Sequence, residues 1–164
     1  MKIQLQAIHI LKQLQQLIIA LEAKELTQPL DAFSGSTIGQ HTRHILEFYL
    51  CLFQQLPTSH ICYDKRPRDI KLEEEKSTII SMIDHINLQL SELENDVPLT
   101  LSTMLGEVSH NTPTTLSREI LNVLEHAVHH MAMLKIGVNL NFQHIQIPNN
   151  FGVAESTIRY LATQ

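Results

Sequence analysis

What this chain has little of does most to narrow its reading. Its 164 residues include two cysteines, Cys51 and Cys62, which form neither a CxxC pair nor a disulfide framework. A reducing cytosol is therefore the expected home. Basic charge is also short: 12 Lys and Arg stand against 17 Asp and Glu, for a formal net charge of −5. That balance disfavours a nucleic-acid backbone or an anionic membrane surface as the main partner. Lys65, Arg66 and Arg68 lie close together, but Asp64 and Asp69 bracket them. No segment approaches the ~20 apolar residues of a spanning helix. The start does not read as a signal peptide, because Lys2 is a lone charge and the apolar run Leu17–Leu21 is short and too far in. There is no internal repeat and no low-complexity tract.

What is there is enough for a packed core. Hydrophobic residues make up 43% of the chain, and its length fits one domain over residues 1–164. Four long helical patterns emerge between breakers. The first runs from about Ile3 to Leu26, with Ile8, Leu11, Leu14, Ile18 and Leu21 at helical spacing. The second spans about Thr37 to Gln55, with Ser36 as its expected N-cap and Pro57 just past its end. The third covers about Lys71 to Glu94, and the loop Pro57–Asp69 precedes it. The fourth begins near Pro113–Leu116 and runs to about Ile136, where Gly137 is expected to stop it. Between the last two, Leu99 to Ser109 around Gly106 reads as a short β-hairpin. A short helix from Ala154 to Leu161 closes the tail. The expected fold class is all-α, an up-down four-helix bundle with that hairpin before the last long helix.

Five of the ten histidines fall in two short segments, His41 with His44 and His126 with His129 and His130. His126 and His130 are four apart, so a helix sets them on one face, about 5–6 Å apart at Cβ. Imidazoles at that spacing can close on one ion at about 2.0–2.1 Å per nitrogen. One ligand from the second helix and two from the fourth make a three-histidine site for a divalent metal such as zinc, nickel or iron, with coordination positions open to water or substrate. Periodicity does not choose between His41 and His44 as the second-helix ligand, since His41 sits nearer the middle of the apolar stripe. HxxxH alone is a weak motif, and its ordinary alternative is a pair of core-edge histidines.

Two patterns resemble the DinB/YfiT-like family of metal-dependent proteins. One is Thr37-Ile38-Gly39-Gln40-His41-Thr42-Arg43-His44; the other is His126-Ala127-Val128-His129-His130. Their order and their separation of about 80 residues are similar to the family's, and the likeness covers nearly the whole chain. The segments Tyr63–Asp69 and Asn150–Tyr160 look like one subgroup, although Glu155 stands where a proline is expected. The resemblance implies a DinB-like bundle whose ligands fall on His44, His126 and His130, leaving His41 and His129 as neighbours that could move protons in catalysis.

The resemblance also implies a metal-dependent enzyme, a hydrolase or a thiol-dependent transferase, acting on a small molecule with a low-molecular-weight thiol as a candidate substrate. The alternatives are a non-catalytic, stress-related metal-binding protein and a metal-free helical interaction module. Bundles of this kind often pair through an apolar helix face, which makes a homodimer an expectation. Arg43, Arg66, Arg68 and Arg159 could hold an anionic group, but loop-fixing salt bridges with Asp64, Asp69 and Glu47 account for them better. Glu47, three residues after His44, could orient a ligand or be a solvated surface charge. Cys51 lies about 10 Å along the helix from His44, too far to share an ion, and reads as core.

Overall fold

The computed structural model describes residues 2–164. Its helices, in chain order, are α1 (Lys2–Ala20), α2 (Ala23–Leu26), α3 (Ile38–Gln55), α4 (Lys71–Glu74), α5 (Lys76–Glu92), α6 (Leu116–Asn141) and α7 (Glu155–Leu161). Three strands, β1 (His60–Ile61), β2 (Pro98–Leu105) and β3 (Val108–Thr115), form one sheet in the order β1-β2-β3. β1 pairs parallel with β2, and β2 pairs antiparallel with β3. The expected all-α fold, a four-helix bundle, is thereby corrected. The described residues carry seven α-helices and a mixed sheet, so the chain is not purely helical and is not a four-helix bundle.

The hairpin is longer than its expected span because β2 and β3 pair over eight residues each, from Leu105↔Val108 out to Pro98↔Thr115. Threonines at 100, 103, 112, 114 and 115 favour the extended backbone. Gly106 opens the two-residue loop with φ 65°, the left-handed value that such a tight hairpin turn requires at its first central position. β1 has no counterpart in the sequence pattern, since two residues show no periodicity.

The helix ends also differ from expectation. α3 is capped by Thr37 rather than Ser36: the Thr37 hydroxyl accepts from the Gln40 N–H at 3.0 Å, and the Gln40 side chain accepts from the Thr37 N–H at 3.2 Å. The expected third helix is broken at Glu75 into α4 and α5. α6 does not stop at Gly137 but continues to Asn141. Gly137 is buried inside the helix because a Cβ there would collide with the Phe33 ring. Likewise a Cβ at Gly39 would collide with the backbone of Glu73, so glycine lets α4 approach the first turn of α3.

α1 packs against α5 and α6, and α3 packs against α6, α4 and α5. Leu11, Leu14, Leu17, Ile18, Ile45, Leu46, Ile79, Ile83, Ile120 and Met131 lie in the shared core, all 1% exposed or less. Cys51 is buried there too, as expected. No helix among the described residues is long and apolar enough to cross a membrane.

Candidate metal centre

α3 and α6 lie side by side, and their histidines meet at the edge of the core. His41 and His44 occupy the first two turns of α3, while His126 and His130 lie one turn apart on α6. All four rings are half-buried. One nitrogen from each of His44, His126 and His130 lies within 4.8 Å of the others. The tightest recorded approach is His126 Nε2 to His44 Nε2, at 3.0 Å. Two nitrogens bound to one ion at 2.0–2.1 Å stand about 2.9–3.3 Å apart, so this pair already fits and the widest pair needs to close by about 1.5 Å at most. Three neutral imidazoles are a donor set suited to zinc, nickel or iron. The residues present therefore fit a divalent ion.

Burial keeps the donors available. Desolvation is the first cause holding all four imidazoles below their ordinary pKa. His44 falls to about 4, with His126 and Arg66 adding to the effect, and His130 to about 3, with His126 and His44 adding. At neutral pH these rings are uncharged, the form that binds a metal.

The histidines left out of the three-membered cluster behave differently from each other. His41 Nδ1 lies 2.9 Å from His130 Nδ1. With Nδ1 of His130 so engaged, Nε2 is the nitrogen left for an ion. The hydrogen bond then fixes the ring and its tautomer, as partners of metal-bound histidines do. His41 is itself positioned by Phe33, whose ring centroid is 4.8 Å away and whose own place depends on Gly137. His129 is exposed and sets its ring edge-on to His130 at 5.5 Å.

An aromatic column supports the cluster from below. Phe48 stacks on His126 at 4.1 Å and on Tyr63 at 5.1 Å. The Tyr63 hydroxyl donates to Glu119 Oε2 at 2.8 Å, and Thr114 of β3 donates to Glu119 Oε1 at 2.7 Å. Glu119 is 2% exposed, so these two donors satisfy a carboxylate that would be costly to bury alone. The network ties the segment after β1 to both α6 and the sheet. No local sequence spacing marks Tyr63 or Glu119. Phe48 lies four residues after His44, on the same helix face, and that spacing was the one available signal.

The tied segment carries Arg66 to the cluster. Its guanidinium lies over the Phe48 ring at 5.0 Å, donates from Nη1 to the Tyr63 carbonyl at 3.1 Å and sets Nη2 3.4 Å from His44 Nδ1. Its Nε lies 3.7 Å from Glu47 Oε2. Glu47 is 2% exposed and is not a solvated surface charge. It accepts from the Asp69 N–H at 3.0 Å and pairs with Arg43 at 3.4 Å. Burial raises its pKa, and the Asp69 N–H and the guanidiniums of Arg43, Arg66 and Arg68 oppose that rise. Arg43 also reaches Glu73 at 2.8 Å. Of the acidic partners expected for these arginines, Glu47 takes two. Asp64 instead accepts the Met104 N–H, and Asp69 that of Lys71. Arg159 lies apart, in an apolar groove between α1, α6 and the tail.

No family model matches the chain, and no solved structure matches it. A curated relative, FK506-binding protein 5 of Rhizopus delemar, is 32% identical over 109 residues. That match covers 62% of this chain and spans 28% of the relative's length. It is too partial to establish a family.

Proposed function

We propose that this protein is a metal-dependent enzyme whose His44, His126 and His130 hold one divalent cation. The observation that carries the reading is the convergence of three uncharged imidazoles from two helices, their nitrogens within 4.8 Å of one another. No fourth protein ligand joins them among the described residues, which favours a catalytic over a closed structural site. The likeness of Thr37–His44 and His126–His130 to the DinB/YfiT-like family points the same way.

When bound, the ion would lower the pKa of a water or thiol at its open positions and so supply a nucleophile at neutral pH. The chain's own groups do the rest. His41 orients His130 through the Nδ1 contact. It also lines an open pocket of about 410 Å³ beside the cluster, where, with its Nδ1 accepting from His130, its Nε2–H can donate to a bound substrate. Phe48 and Tyr63 close the inner side of the site against water. The substrate is a small molecule, with thiol conjugation and hydrolysis as the reaction types to test.

The test is an activity screen of zinc-, nickel- and iron-loaded protein against thiol-conjugation and hydrolysis substrates, beside the His44→Ala variant. Turnover by the loaded wild type that disappears in the variant supports the reading. Turnover that survives His44→Ala, or its absence with every metal and both substrate types, contradicts it.

A further inference from the structure

The pocket beside the histidines has an unusual lining. Arg43, Arg66 and Arg68 all reach it, together with His41, His44 and His130. No carboxylate lines it, although the whole chain carries a net charge of −5. Two acidic groups lie behind it, Glu47 and Glu73, and both are committed. Glu73 takes Arg43, and Glu47 is shared between Arg43, Arg66 and the Asp69 N–H. Arg68 is exposed, and no acidic group among the described residues lies within 4.0 Å of it. Three guanidiniums thus face two carboxylates, and an ion on the histidines would add to the excess of positive charge.

The contact between Arg66 and His44 sharpens the point. A guanidinium only donates. With His44 Nε2 on an ion, its Nδ1 carries a proton and donates too. Two donors would then face each other 3.4 Å apart, and an oxygen accepting from both would resolve the conflict. Nη1 of Arg66 is engaged with the Tyr63 carbonyl, and Nε faces Glu47 Oε2 at 3.7 Å, an ion-pair distance too long for a hydrogen bond, so Nη2 is the nitrogen turned toward His44 and the pocket.

We infer that this pocket binds its substrate through a compact oxyanion, a carboxylate or a phosphate, held by Arg66 and Arg68 next to the metal centre. The inference rests on the metal-centre reading and adds to it the class of molecule recognised. Arginine suits the task because its planar fork matches the oxygens of both groups. Arg66 is held in place by Phe48 and Tyr63, whereas exposed Arg68 can close over the anion from the pocket's rim.

The experiment is calorimetric titration of the full chain with inorganic phosphate and, separately, with acetate, at ionic strength held constant with chloride. It is run on metal-loaded and on chelator-treated protein, with metal content measured on every sample. The variants are Arg68→Gln and, as a control in the distant groove, Arg159→Gln. The expected result is saturable binding of phosphate or acetate that weakens about fivefold to tenfold in Arg68→Gln and is unchanged in Arg159→Gln. The tighter of the two probes tells a phosphate site from a carboxylate site. Full metal content with no saturable binding, or with equal binding by Arg68→Gln, overturns the oxyanion site alone. A wild type that holds no metal overturns the metal centre. The chelator-treated titration then decides the oxyanion site by the same dependence on Arg68.

Discussion

The histidines and two of the three arginines, Arg66 and Arg68, reach this site by different routes, while Arg43 shares α3 with His41 and His44. The histidines stand on α3 and α6, where periodicity and core packing fix each ring. Arg66 and Arg68 stand on an irregular segment between β1 and α4, held by a few long-range hydrogen bonds: Tyr63 to Glu119, Met104 to Asp64 and Asp69 to Glu47. Helix-borne groups stay where a dense core puts them. Loop-borne groups can be released by breaking single bonds. A site built from both can keep its ligands rigid while the residues that meet a substrate adjust.

The largest effect expected on the rigid side comes from Gly137→Leu. The new side chain meets the Phe33 ring in a packed core, and overpacking of this kind costs about 3 kcal/mol. Urea unfolding should show the loss, and the variant should also bind metal more weakly because Phe33 positions His41. Normal stability would mean that α6 and Phe33 are not packed as described.

On the loop side, Tyr63→Phe removes one donor to a buried carboxylate, at a cost of about 1–2 kcal/mol. Its signature is local. Amide exchange across residues 63–69 should quicken while that of α3 and α6 stays slow. Equal quickening in both regions would erase the distinction between them. His41→Ala then tests the support of the cluster itself. Loss of the partner of His130 Nδ1 should weaken metal binding about tenfold without altering the fold, read by competition with a chromogenic chelator.

The smallest effect is a pH dependence of the metal-free protein. His44 and His130 are held near 4 and 3, below the ordinary 6.5, so the folded state binds fewer protons than the unfolded state between those values. Their contribution is full above about pH 6.5 and is lost as pH falls toward 4. The urea midpoint should therefore drop between pH 6.5 and 5.5, and His130→Gln should flatten that slope. An unchanged slope in the variant would show that the rings are not desolvated as described.

The four long helices were legible because their buried residues recur every three to four positions, and the histidine clusters because their spacing lies on single helix faces. The sheet was mostly illegible. β3 is exposed along nearly its whole length, so it lacks the alternation of buried and exposed residues that marks a strand, and the all-α expectation followed from that silence. Gly137 looked like a helix stop because its partner, Phe33, lies 104 residues away in sequence. The burial of Glu47 depends on Asp69 and Arg66, beyond the reach of any local pattern. Even the choice between His41 and His44 turned on an inter-helix distance that periodicity does not carry.

The central claim is that His44, His126 and His130 hold one ion. Its most direct test is metal content by plasma mass spectrometry on untagged protein, reconstituted with zinc, nickel and iron and compared with His44→Ala and His126→Ala. The account predicts about one equivalent in the wild type, lost in both variants. Sub-stoichiometric metal that ignores the substitutions would contradict it.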